Sequence, residues 1–205
     1  GYPNTAWTSV IYHEYGHHLV DQAGSGQGEY GEGQSDTMSV IILDDPGIGR
    51  GFYGTCNDPL RNADNTLQYP CTSSIHYCGQ LLSGCVWETR NELVMTNPGN
   101  YTDIIGNLAV NAMLLHTGES IDPSITIDFL TLDDDNGSIL DGTPNYAAIA
   151  AGFDTHDLDA PELTNIVVSF PNGRPDTVNP LGGTTFRLQV DEVLDNVVDG
   201  SVLLV

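Results

Sequence analysis

His13-Glu14-Tyr15-Gly16-His17, followed by Gly31-Glu32-Gly33-Gln34-Ser35-Asp36, is the stretch on which the reading of this chain turns. The first segment lies in a run with Trp7, Val10, Ile11, Leu19 and Val20 at helical spacing, capped by Asn4 or Thr5 and stopped at Gly24. On a helix, two residues four apart are separated by about 40° around the axis, so His13 and His17 share a face and can ligate one ion. Glu14 then points towards the side where a water on that ion would sit. A catalytic zinc site needs a third protein ligand and one open position. Glu32 is the best candidate. It stands fifteen residues after His17, beyond the Gly-rich loop Gly24 to Gly31, which lets the chain reverse. Asp36, one turn further along, is placed to accept the second ring N–H of a ligating histidine. Taken alone, Glu32 and Asp36 would read as an ordinary acidic face; their joint occurrence with the histidine pair favours ligation.

These residues resemble a known group. H-E-Y-G-H followed by G-E-G-Q-S-D is similar to the gluzincin metallopeptidases of the fungalysin and thermolysin-like branch. The resemblance implies that Glu32 is the third zinc ligand, that Asp36 orients the first histidine, and that Glu14 is the general base. It further implies an oxyanion-stabilising role for His76, in Ser74-Ile75-His76-Tyr77-Cys78-Gly79, as a histidine just before a helix. The metzincin alternative would require Gly at position 20 and His at position 23, where this chain has Val20 and Ala23.

Outward from this centre, Glu32 to Leu43 reads as a second helix ending at Asp44-Asp45-Pro46-Gly47, and residues 46 to 75 as irregular. Gly79 to Met95 reads as a third helix and the run after Asn100 as a fourth. Asp122-Pro123 and Thr143-Pro144 read as the openings of a fifth and a sixth. Past residue 160, Ile166-Val167-Val168 and the alternating Phe186, Leu188 and Val190 read as short strands. The expected architecture is therefore a mainly α catalytic half-domain, α+β overall, over residues 1–158, followed by the first strands of a β-sandwich over 159–205. Without an initiating Met, and running straight into a functional-looking helix, the chain reads as a fragment of a longer protein.

Cys56, Cys71, Cys78 and Cys85 lie within a loop-rich stretch and suggest a disulfide staple in an oxidising, extracellular setting. Cys56 with Cys71 is the expected bridge; a Cys78–Cys85 bond is awkward, because seven residues of helix separate the Cα atoms by about 10 Å. With 5 Lys+Arg against 28 Asp+Glu, the net charge is −23, which repels nucleic acid and anionic membrane surfaces. Asp133-Asp134-Asp135-Asn136-Gly137 and Asp141 form an acidic turn that reads as structural, with or without Ca2+. It fails the EF-hand register, which would put Leu132 at the first loop position. His18, His116 and His156 read as surface or packing residues.

The expected function is a secreted zinc-dependent peptidase acting on protein or peptide substrates. Endopeptidase action comes from the resemblance; composition and spacing are compatible with an aminopeptidase too. Two other readings stand beside it: an inactive zinc-binding module, and a calcium-dependent adhesion or carbohydrate-binding surface protein.

Overall fold

A computed structural model describes residues 5–55, 57–164, 166–173, 182 and 187–192. It divides into two compact units, Gly1–Gly137 with Thr143–Pro161, and Ser138–Gly142 with Glu162–Val205. The first is helical: α1 (Thr8–Ala23), α2 (Glu29–Leu43), α3 (Ile75–Thr96), α4 (Tyr101–Leu115), α5 (Ser124–Asp133) and α6 (Tyr146–Asp154). A short antiparallel pair, β1 (Gly47–Ile48) and β2 (Arg61–Asn62), interrupts the stretch expected to be irregular. In the second unit β3 (Ile166–Ser169) pairs antiparallel with β4 (Gln189–Glu192). Among the described residues this is the one sheet of the second unit; Phe186, expected in a strand, lies outside them.

The centre of the helical unit is α2, whose residues Tyr30 to Val40 are all buried. A helix enclosed on every side has no amphipathic stripe, so its true start, Glu29, escapes the periodicity and Glu32 lies within its first turn rather than at its start. Small residues allow the close approach. A Cβ on Gly16 of α1 would lie 2.6 Å from the Ser35 Cα. On the opposite flank, a Cβ on Gly33 would lie 2.8 Å from the Gly79 carbonyl oxygen of α3. With so little between the backbones, side chains at the two crossings reach across helices directly. Around this layer Leu81, Leu82, Val86, Leu93, Ile125, Phe129, Ile149 and Phe153 form the apolar filling.

Helix ends follow local chemistry with some shifts. α1 ends where Gly24 adopts φ 82°, a left-handed conformation that glycine tolerates. It begins after Trp7 with no side-chain cap, so Thr5 does not cap it as expected, and Asn4, the other expected cap, lies outside the described residues. The entry is held by packing instead, the Trp7 ring lying where a Cβ on Gly51 would come within 2.6 Å. α3 begins earlier than its apolar spacing suggested, because Ser74 Oγ accepts the Tyr77 N–H at 3.3 Å and caps the turn at Ile75. α6 begins at Tyr146, two residues past Thr143-Pro144. There the Asp133 carboxylate accepts the Asn145 N–H at 2.6 Å, so a distant side chain does the capping.

The expected Cys56–Cys71 bridge is overturned. Cys71 is bonded to Cys78, with Cα atoms 5.6 Å apart. The segment before α3 doubles back on its first turn, bringing Cys71 to Cys78 across a separation of 7 residues. In continuous helix that separation would have held the sulfurs apart. Cys85 is free and buried one helical stretch further on, and Cys56 lies outside the described residues.

Candidate metal centre

α1 presents His13 and His17 towards α2, and α2 returns Glu32. Ligand atoms of the three all lie within 4.8 Å of one another, the group among the described residues that could hold a metal ion. The Nε2 atoms of His13 and His17 are 3.2 Å apart. Glu32 Oε2 lies 3.4 Å from His13 Nε2 and Oε1 lies 3.4 Å from His17 Nε2, so each imidazole of the pair has its own carboxylate oxygen.

The opposite ring nitrogens are committed. His13 Nδ1 lies 2.7 Å from Asp36 Oδ1, and His17 Nδ1 lies 2.9 Å from Gln27 Oε1. Both partners are acceptors, so each imidazole holds a proton on Nδ1, and in its neutral form it turns the Nε2 lone pair inward. Two lone pairs 3.2 Å apart and a carboxylate facing them repel one another unless a cation or protons lie between. Glu32 Oε2 is buried and accepts no hydrogen bond. This donor set, with an orphaned oxygen at its centre, fits a metal ion.

Two supporting residues were invisible in the sequence. Gln27, in the Gly-rich loop, holds His17 by two bonds, its Nε2 also donating to the His17 carbonyl at 3.0 Å. Arg61 of β2 grips Asp36, with Nε to Oδ2 and Nη2 to Oδ1 both at 2.7 Å. Asp36 is fully buried, and an isolated carboxylate there would be costly. A chain with 5 Lys+Arg that buries an acid must spend one of them beside it, the one signal that could have pointed towards an arginine.

Glu14 is exposed, on the face of α1 next to the histidine pair. With His13 it borders a cleft of about 260 Å3, which Arg61 and His76 also line. Val10, Ile48, Phe52 and Leu60 make its apolar wall. His76 is not in a loop before α3, as expected; it is the second residue of the helix. Its Nε2 comes 3.3 Å from Glu32 Oε1 and its side chain is 59% exposed. The acidic turn is structural in its bonding: Asp133 accepts from Thr143 Oγ1, Asn145 N and Asn145 Nδ2, each at 2.6 Å, and Asp134 accepts from Gly137 N at 2.6 Å. His18 is exposed, while His116 stacks on Tyr30 and buried His156 turns Nδ1 to the Leu67 carbonyl at 2.5 Å.

Charge on the cluster is mutually reinforcing. Burial works against the His13 imidazolium, but its contact with Asp36 and the facing Glu32 carboxylate outweigh it and push the pKa up to about 9. His17 is raised by the facing Glu32 carboxylate. Burial also opposes ionisation of Glu32, and the facing His13 and His17 imidazoles overcome it, holding the carboxyl well below the usual range. A raised histidine contributes stability that is complete below the unfolded value of about 6.5 and is lost as pH rises through the folded value. A depressed glutamate contributes stability present above about 4.3 and lost as pH falls. In chelator, the melting temperature should therefore peak between about pH 4.5 and 6.5 and decline as pH rises through about 9. A melting curve that is flat or rising across that alkaline span would contradict the assignment.

No family model matches the sequence, and no curated protein or solved structure matches it either.

Proposed function

We propose that this chain carries the catalytic helical unit of a secreted zinc peptidase of the gluzincin kind, cleaving peptide bonds within protein or peptide substrates. The observation that carries this reading is the convergence of His13, His17 and Glu32 from two helices beside an open cleft that Glu14 borders. Two nitrogens held about 2.0 to 2.1 Å from one tetrahedral zinc lie about 3.3 Å apart. The observed 3.2 Å between the two Nε2 atoms suits that ion. The Cys71–Cys78 bond is in keeping with an oxidising compartment.

When bound, zinc supplies a Lewis acid and brings the pKa of a coordinated water towards about 7. The chain does the rest. Glu14, which is not a ligand, takes the proton of the attacking water and passes it to the departing amine. His76, across the cleft, donates to the carbonyl oxygen as negative charge builds there. Asp36, anchored by Arg61, and Gln27 hold the two imidazoles in the ligating tautomer. The wall of Val10, Ile48, Phe52 and Leu60 suits an apolar substrate side chain next to the scissile bond.

Elemental analysis combined with a casein-type assay tests the reading. We expect about one zinc per chain, with hydrolysis lost in phenanthroline and recovered on adding zinc. Bound zinc without hydrolysis would leave a metal-binding module in place of an enzyme.

A further inference from the structure

His76 overlooks the site from a turn that the core does not hold. Thr72, Ser73, Ser74, Ile75, His76 and Tyr77 are all exposed, with Ile75 at 44% and Tyr77 at 47%. The first side chain of α3 to enter the interior is Cys78, at 1% exposure. Besides the Ser74 cap, the 3.3 Å contact of His76 Nε2 with Glu32 Oε1 and the Gln80 bond to the Tyr77 carbonyl, the turn carries a covalent restraint. The bond from Cys71 to Cys78 closes a small ring of backbone that contains His76, and Ser73 N–H donates to Cys78 Sγ at 3.2 Å across it. Upstream the strap is moored as well, since Tyr69 N–H donates to the carbonyl of buried His156 at 2.9 Å. The zinc-ligand candidates, by contrast, stand on α1 and α2, which carry no such link.

We propose that the Cys71–Cys78 disulfide is the positioning element for His76, keeping its imidazole aimed at the reacting centre. The inference rests on the peptidase reading and extends it to residues outside the motif. An exposed terminal turn frays readily, and a donor misplaced by about 1 Å can cost roughly a hundredfold in rate. Cross-linking the strap to the first buried residue of α3 removes that freedom. Opening the bond should then act on the chemical step through His76 and leave the metal alone.

The test is a double-mutant cycle in the full protein. Cys71→Ala cuts the bond while leaving Cys78 packed in the core. We expect kcat to fall about tenfold with KM within about twofold and zinc content unchanged, and His76→Ala alone to lower kcat about a hundredfold. In the His76→Ala background, Cys71→Ala should cost less than about twofold more. Equal losses in both backgrounds would mean a general structural role and would overturn the proposal, as would an unchanged kcat in Cys71→Ala. Amide hydrogen exchange over residues 74–78, read in the same variants, should accelerate when the bond is cut. That measurement is independent of turnover. If the wild type hydrolyses nothing, the peptidase reading fails on that result, and unchanged exchange at this turn would separately refute the tether.

Discussion

Glu14→Gln should retain zinc and the wild-type melting temperature while losing about 10²- to 10⁴-fold in kcat, the range that a positioned general base supplies. The expectation follows from where α1 places the side chain. Glu14 follows His13 directly, so it projects about 100° around the helix from the ligand face and opens on the cleft. It is exposed and outside the ligand group, so an amide of the same shape disturbs neither packing nor metal. Burial works against the charge of Arg61, which shares the cleft, but Asp36 outweighs it, and Glu32 and Glu14 add to the rise in its pKa. Glutamine keeps the hydrogen-bonding outline and lacks only the ability to accept the proton. Zinc content and unfolding curves, taken beside the kinetics, separate loss of the base from loss of the fold. A Glu14→Gln variant that hydrolyses normally would remove the residue from the mechanism.

Replacing a ligand should have a different signature. His13→Ala, His17→Ala or Glu32→Ala should each take zinc from about one per chain towards zero and abolish hydrolysis together with it. The wild type should also lose thermal stability in chelator. A ligand present at about a thousand times its Kd stabilises the folded state by about 4 kcal/mol, and the variants should no longer respond to added zinc. The three differ in what they leave behind. Without Glu32, the two Nε2 atoms 3.2 Å apart face each other with no carboxylate opposite them. Without His13, Asp36 keeps Arg61 and loses its second partner. Without His17, Gln27 loses its contact with the ring and keeps its bond to the carbonyl of residue 17, so this is the mildest for folding and the cleanest test of ligation. Full zinc occupancy in His17→Ala would exclude that imidazole from the metal.

Much of this arrangement was legible before any coordinates. The His13 and His17 pairing needs only 3.6 residues per turn, and the reversal between α1 and α2 is written in the glycines between 24 and 31. The six helices and the strand at Ile166 also came from local periodicity and stop signals, whereas the short β1–β2 pair between α2 and α3 did not. The boundaries that moved are those set from a distance. α2 starts early because all its faces are buried, and α6 starts late because Asp133 caps it from another helix. His76 was read as a loop residue because the apolar pattern of α3 begins only at Cys78, after an exposed turn that the Ser74 cap and the disulfide hold helical.

By itself, the amino-acid sequence determined that two histidines share one helical face, that a glutamate lies next to them, and that a second acidic helix turn follows a flexible loop. These relations live within one or two turns of chain, where backbone geometry leaves few choices. Only the tertiary structure decided that Arg61 neutralises Asp36, that Gln27 orients His17, and that Cys71 bonds to Cys78 rather than to Cys56. Each of those partnerships depends on how a loop is folded against packed helices. That is a property of the whole core, and no window of sequence contains it.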